Sequence, residues 1–395
     1  MVKPAETRIQ EHLGFITSET STLKFSFLVV PLKNRKAITK EDYILLDHPE
    51  LGATYPLIAR VNEVKSYEEV VGSNFTDKKI GKMIGDAEII GYTNLEDEKR
   101  PIRKLLTPPN PGARIYLAYA EFLEDTFARD VKGNCFKEPI QIGNLETEAP
   151  SIEGGMKPVR FYLDAEELTG RHTLISAIEG AGKTNIAKII ITEIANKTQH
   201  PIIIIDPYGE YRSIETLTQK TNKEIKLRPG VKTESIAQAI KGNQTTTLNT
   251  EYLTPEERRK TLTQALTDLW RSRLDNVTPA FLLVVEEAET LTNTIIETMI
   301  CEGAKHGIAL ILIAKHPIEL GGKALSQICT QIIGRTTDKD DIEYLKNMAL
   351  EKTPRLPKLK QGEWIVNSIN TREPTEITTR ELNNMGYQPQ ARAKV

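Results

Sequence analysis

The chain has 395 residues, of which 39% are hydrophobic and 27% charged, enough apolar material for two or three separate cores. Lys and Arg total 52 against 54 Asp and Glu, a formal charge of −2, which excludes a protein that holds a polyanion by a global basic field. Nucleic-acid contact would then need a local patch, or a patch multiplied by oligomerisation. Cys135, Cys301 and Cys329 lie far apart, show no metal spacing and cannot all pair, so they read as small buried residues of a protein in a reducing compartment. The start has no apolar signal region and the apolar runs are of strand length, which points to a soluble cytoplasmic protein without a membrane span.

From about residue 12 to 125 the sequence reads as strands and turns. Phe15–Thr17, Phe25–Val30, Tyr43–Leu46, Ile58–Val61, Ala87–Tyr92 and Arg114–Ala118 are short, β-branched or aromatic, and separated by Gly, Pro, Asn or Asp. A small antiparallel barrel is the expected architecture. Its lone histidines, His12 and His48, read as surface residues, and no catalytic spacing occurs here. A Pro- and Gly-bearing loop, Glu148–Gly155, marks the expected boundary. The expected domains are therefore 1–150 (barrel and linker), 151–375 (an α/β domain) and a flexible tail, 376–395.

The second domain opens on Arg171–Asn185: a short apolar strand, a glycine-bearing turn, and a helix starting at Lys183-Thr184. Small residues let successive backbone N–H groups converge on phosphate oxygens, and the helix N-terminus adds its dipole. Glu179, Gly180, Ala181, Gly182, Lys183, Thr184 and Asn185 are the expected nucleotide contacts, with Lys183 on the outer phosphates and the Thr184 hydroxyl on Mg²⁺. The first glycine of G-x-x-x-x-G-K-[ST] is replaced by Ala177.

Ile186, Ile189, Ile190 and Ile194 then recur at helical spacing, and four consecutive isoleucines, Ile202–Ile205, read as a parallel strand covered on both faces. Strand, phosphate loop, helix and buried strand make the first βαβ unit of a mostly parallel sheet, with Asp206 facing its ligand crevice. Thr254-Pro255-Glu256-Glu257 is a capping signature opening a helix with Leu262, Leu266, Leu269 and Trp270 on one stripe. The arginines beside it, Arg258, Arg259, Arg271 and Arg273, read as a solvated face.

Phe281–Val285 followed by Glu286-Glu287 puts two carboxylates at the end of another buried strand, one to hold the metal (Glu286) and one to polarise the attacking water (Glu287). Ile308–Ala314 is a further buried strand ending at Lys315, which could sense a γ-phosphate or be a plain exposed lysine. Gln331–Gly334 leads to Arg335, an arginine that could stabilise transition-state charge in its own or a neighbouring subunit. Glu363–Val366 reads as an edge strand.

Together these motifs resemble the HerA family of hexameric DNA translocases, in the HerA/FtsK group of P-loop ATPases. The resemblance rests on Arg171-His172 before the phosphate loop, Asp206-Pro207-Tyr208-Gly209-Glu210-Tyr211, Val285–Ala288, Glu302–Gly307, Pro317, Ser326 and Arg335, and on the Pro108–Gly112 turn of the barrel. It implies a RecA-like ATPase domain behind a β-barrel, ATP and Mg²⁺ as cofactors, a homo-hexamer around double-stranded DNA, and a nuclease partner of the NurA kind or another effector. Tyr208 stands where the family has His, Ala304 where it has Arg, Lys315-His316 where it has Gln-Arg, and Glu289 where it has His. Lys305, Arg335 and Arg171 are the remaining candidates for a cation acting on a neighbour's nucleotide. These departures keep open an alternative: a slow or inactive nucleotide-binding ring that scaffolds or regulates a nuclease or defence effector.

Overall fold

A computed structural model describes residues 3, 6–9, 11–30, 38–71, 78–218, 221–229, 233–242, 245–291, 294–321, 326–347, 350 and 352–379. The chain divides into two compact units, Met1–Cys135 with Asn144–Phe161, and Phe136–Gly143 with Tyr162–Val395.

The first unit contains a closed barrel of β1 (Gly14–Thr20), β2 (Lys24–Val29), β3 (Tyr43–His48), β4 (Gly52–Val71), β5 (Lys78–Tyr92) and β6 (Arg114–Leu117). Its order is β1-β2-β5-β4-β3-β6, and β6 returns to β1 antiparallel, so no edge is left open. Alternate residues fill it: Phe25 and Phe27, Ile44 and Leu46, Leu57, Ala59 and Val61, Ile115 and Leu117. Gly85 is required by packing, because a Cβ there would lie 2.2 Å from the Phe27 ring. His48 is buried rather than on the surface. Its Nδ1 accepts the N–H groups of Glu50 and Leu51, each at 3.2 Å, and so caps the β3–β4 turn. After the barrel comes α1 (Ala120–Phe127), whose buried Glu124 receives the Arg160 guanidinium.

The chain passes between units along β7 (Pro139–Pro150) and β8 (Met156–Asp164). The expected break at 150/151 thus falls at a hairpin tip, because both strands are divided between the units. The second unit carries α2 (Ala165–Gly170), β9 (His172–Ser176), α3 (Lys183–Lys197), β10 (Ile202–Asp206), α4 (Ile214–Thr218), β11 (Asn222–Lys226), α5 (Thr233–Gly242) and β12 (Thr245–Asn249). There follow α6 (Pro255–Leu274), β13 (Phe281–Val285), α7 (Thr294–Glu302), β14 (Ile308–Ala314), β15 (Ile328–Ile333), α8 (Lys339–Asn347), β16 (Glu363–Ser368) and β17 (Thr375–Thr378).

The sheet order is β11-β12-β10-β13-β14-β9-β15-β16-β17, with β7 and β8 beyond. It is parallel from β11 to β15, while β16 and β17 add antiparallel. All five residues of β10 and of β13, and all seven of β14, are buried, as expected for strands covered on both faces. Ile203, Ile205, Leu283, Val285, Leu310 and Leu312 form one core with Leu262, Leu266, Leu269 and Trp270 of α6. In α3, Ile186, Ile189, Ile190, Ile191 and Ile194 are buried, each contributing about 1.5–3 kcal/mol of transfer free energy.

Several expectations change. β9 and β10 are not neighbours: β13 and β14 lie between them, so the α3 crossover passes over two strands. β16 is interior, because Thr375–Thr378 pairs with it as one more strand. Residues 376–378 therefore belong to the sheet rather than to a tail, and 380–395 lie outside the described residues. The cysteines are not buried: Cys135 and Cys301 are exposed and Cys329 is intermediate. Arg273 is no solvated cation either, since it donates to the carbonyls of His306 and Thr278. The α6 capping box is present as expected, Thr254 and Glu257 satisfying each other's backbone N–H.

Candidate active site

The loop after β9 turns on two glycines in left-handed backbone, Gly180 (φ 76°) and Gly182 (φ 104°), the latter capping α3. Ala177 is fully buried and has no positive φ, so the methyl group that replaces the motif's first glycine causes no backbone strain. It faces Gly334, where a Cβ would lie 2.9 Å from the Ala177 methyl and 2.9 Å from the Trp364 ring. The missing glycine is in effect supplied by the neighbouring strand's end. Backbone bonds pin the loop there: Gly334 N–H to Ser176 O (2.8 Å), Ile178 N–H to Arg335 O (2.9 Å) and Gly362 N–H to Ala181 O (3.1 Å).

Lys183 Nζ donates to the carbonyls of Ala177 (2.8 Å) and Ile178 (3.1 Å), contacts it can exchange for phosphate oxygens. Burial lowers its pKa, opposed by the charges of Glu286 and Glu289. The Thr184 hydroxyl donates to Glu210 Oε2 at 2.7 Å. Glu179 is exposed in the loop, and Asn185 is half-buried in the first turn of α3.

Asp206 is buried at the end of β10, but its carboxylate is committed to its own turn. Oδ1 accepts Tyr208 N–H (3.2 Å) and Glu210 N–H (3.0 Å), and Oδ2 accepts Tyr211 N–H (3.0 Å). It therefore positions Glu210 and the two tyrosines, a correction to the expectation that it faces the ligand itself. The fully buried Tyr211 hydroxyl donates to Glu286 Oε1 at 2.5 Å. Burial raises the Glu286 pKa to about 7, with Glu210 and Asp206 adding to the rise and Tyr211 and Lys183 opposing it.

Glu287 follows with φ 50°, and its Oε2 accepts the Tyr208 hydroxyl at 2.6 Å. Glu289 Oε1 accepts Lys315 N–H at 3.0 Å, tying the tip of β14 to the loop after β13. The Lys315 side chain is exposed, and its charge is felt at Lys183. Beside it His316 Nδ1 pairs with Asp341 Oδ2 at 2.9 Å. Arg335 is exposed, with its backbone against the phosphate loop.

The structure thus brings Lys183, Thr184, Glu286, Glu287, Lys315 and Arg335 to the carboxyl ends of neighbouring parallel strands. It does not bring Arg171 there. Arg171 precedes β9, whose five residues span about 17 Å, and its guanidinium lies 3.9 Å from Cys329 Sγ. Tyr208, Glu210 and Tyr211 join the site without having been picked out individually. Their signal was the Asp206–Tyr211 motif, which carries no hint of which side chain turns toward which glutamate.

The donor set suits a hard cation: Thr184 and Glu210 oxygens 2.7 Å apart, and a buried carboxylate, Glu286, whose charge burial opposes. Mg²⁺ takes only one or two protein carboxylates alongside phosphate oxygens and water, so this set is sufficient in kind.

The family described as "Helicase HerA, central domain" matches residues 140–382. A probable helicase of Methanocaldococcus jannaschii is 24% identical over 222 residues, 54% of this chain and 39% of that protein. The DNA double-strand break repair helicase HerA of Pyrococcus furiosus is 24% identical over 219 residues, 51% of this chain and 35% of the relative. A probable HerA of M. jannaschii reaches 32% over 135 residues, 34% of this chain and 23% of the relative. The chain therefore spans less than half the length of these relatives. Among solved structures, VirB4 of Thermoanaerobacter pseudethanolicus aligns with TM-score 0.46 at 14% identity, covering 62% of this chain and 97% of the other. The genome packaging NTPase of Sulfolobus turreted icosahedral virus 2, in complex with AMPPCP, gives 0.42 at 14%, covering 54% and 99%. With Lys183, Thr184, Glu286 and Glu287 at one sheet edge and the family match over well over half its length, the chain belongs to the HerA helicase family.

Proposed function

We propose that the chain is the subunit of an ATP-driven, double-stranded DNA translocase or helicase that assembles as a hexameric ring and works with a nuclease of the NurA kind in DNA end processing. The observation that carries the ATPase part is the convergence of Lys183, the Thr184–Glu210 pair, Glu286 and Glu287 at the ends of β9, β10 and β13. Glu179–Gly182 would offer their backbone N–H groups to the phosphates of ATP, and Lys183 would exchange the carbonyls of residues 177 and 178 for phosphate oxygens. Thr184 and Glu286 would hold Mg²⁺, the Thr184 hydroxyl first leaving Glu210. The metal, when bound, offsets phosphate charge and lowers the barrier to attack at the terminal phosphorus. Glu287 accepts a proton from the attacking water. Lys315 and Arg335 supply positive charge at the same edge, and Arg171, on the opposite edge, serves a neighbour's nucleotide.

The ring and the DNA rest on the resemblance and on the relatives' names. Near-neutral net charge is compatible with DNA binding because one cation per subunit becomes six around a channel. The expected domains, a barrel domain followed by an ATPase domain, would place the motor in the second. Among the described residues no helix is long and apolar enough to cross a membrane. The test is ATP turnover with and without duplex DNA, for the native chain and for Glu287→Gln, together with particle mass with and without ATP. DNA-stimulated turnover lost in Glu287→Gln, from a particle of six subunits, is the expected result. Turnover equal in both proteins, unmoved by DNA, would sink the motor. One observation favours the second reading, a slow nucleotide-binding ring that regulates a partner: Glu287 is engaged by Tyr208.

A further inference from the structure

The Tyr208 hydroxyl occupies Glu287 Oε2 at 2.6 Å, and Tyr208 is itself held in two ways. Its backbone N–H donates to Asp206 Oδ1 at 3.2 Å. Its ring lies under the Arg258 guanidinium, 5.4 Å from the ring centroid. Arg258 in turn donates to Pro207 O at 3.4 Å, fixing the start of the same turn. Glu287 sits in left-handed backbone, φ 50°, a conformation that costs a non-glycine residue free energy and persists only where its surroundings hold it. Tyr208 is 52% exposed, so its hydroxyl could be hydrated and the fold does not need this bond to satisfy a buried group.

We propose that Tyr208 is a positioning residue that restrains Glu287, holding its carboxylate in a resting arrangement that must open before the carboxylate can take an attacking water. The inference rests on the reading of Glu287 as the water-polarising group. One of its two oxygens is already occupied by a charge-assisted donor, and a water needing that oxygen must displace the phenol. Tyr208 touches neither ATP nor the water in this account. It acts through Glu287 alone, so it governs the rate of the chemical step and not the affinity for nucleotide.

The test uses the full chain at saturating ATP and Mg²⁺, comparing kcat and KM for the native protein, Tyr208→Phe, Tyr208→His, Glu287→Gln and the Tyr208→Phe/Glu287→Gln double variant. Tyr208→Phe should raise kcat roughly 3- to 10-fold, the scale of losing one hydrogen bond weakened by solvent exposure, while KM stays within about twofold. The double variant should sit at background, and Tyr208→His, which keeps a donor, should lie nearer the native rate. A Tyr208→Phe kcat equal to or below the native value, or a change confined to KM, overturns the restraint while leaving Glu287's role standing if Glu287→Gln is inactive. Native-level turnover in Glu287→Gln overturns the reading beneath it and the restraint with it. If native protein and Tyr208→Phe both show only background turnover, the restraint is also overturned, since removing it then releases nothing.

Discussion

The two ends of β9 lie five residues apart and do opposite things. At the carboxyl edge Lys183 and Thr184, with Glu287 from the end of β13, spend their polar groups on contacts a ligand can replace: loop carbonyls, a neighbouring carboxylate, a half-exposed phenol. At the amino end His172 is buried and neutral, its Nδ1 accepting Leu310 N–H at 3.1 Å, and it ties β9 to β14. Arg171 beside it is exposed. A parallel sheet sorts residues in this way because every strand delivers its following loop to the same edge and its preceding residues to the other. Arg171 and Lys183 are close in sequence yet cannot serve one nucleotide.

The sharpest way to break that comparison is subunit mixing. If Arg171 acts across an interface, Arg171→Ala and Lys183→Ala should each lose most turnover alone, and mixing them should restore part of it. No recovery in a mixture that still assembles would remove Arg171 from catalysis. Glu287→Gln should lower kcat by about 10²–10⁴-fold, the usual worth of a general base, with nucleotide affinity retained. An unchanged kcat, or binding lost with it, would count against the assignment.

The two ends should also respond oppositely to pH. The Glu286 pKa is raised to about 7, so its contribution to stability is fully present below the unfolded value near 4.5 and is lost as pH rises through 7. The His172 pKa is lowered to about 4 by burial, so its contribution is present above 6.5 and is lost as pH falls through 4. Each shift corresponds to about 3 kcal/mol at most. Between pH 4.5 and 6.5 they largely cancel, and single variants should expose them. In urea titrations without nucleotide or metal, Glu286→Gln should gain stability over the native chain at pH 8 and lose that gain by pH 4.5. His172→Asn should flatten the loss below pH 6. Parallel pH curves for all three proteins would contradict both signs.

Smaller effects refine the carboxyl end. Gly334→Ala should cost about 1–3 kcal/mol by overpacking against Ala177 and Trp364. Adding Ala177→Gly should recover only the part of that cost owed to the methyl contact, since the Trp364 clash remains. Full additivity in chemical denaturation would show that residues 177 and 334 do not share space. Smallest is Thr254→Ala, which should cost about 1 kcal/mol by opening the α6 capping box, with no effect on turnover.

What could be read in advance was whatever chemistry is local in sequence. Four isoleucines in a row, the Gly-Lys-Thr turn, the Thr254–Glu257 cap and the alternating barrel strands each express a backbone preference or a burial period within a few residues. Readings failed where a residue's role depends on a distant partner. His48 departs from the surface position its sequence suggests because its turn bonds and its packing against Tyr92 are not visible in spacing. Asp206 was placed in the crevice because strand-end acids usually face it, whereas its three N–H donors come from its own turn.

Short-range sterics and hydrophobic periodicity act within single elements, and they suffice to mark a phosphate loop, two strand-end carboxylates and a barrel. It takes the assembled fold to show that β14 separates β9 from β13, that residues 375–378 pair with β16, and that Gly334 makes room for Ala177. The fold also decides that Tyr208 reaches Glu287 and that Arg171 is turned away from its own loop. Strand order and side-chain meetings depend on which faces are buried together, a property of the assembled sheet and of no segment within it.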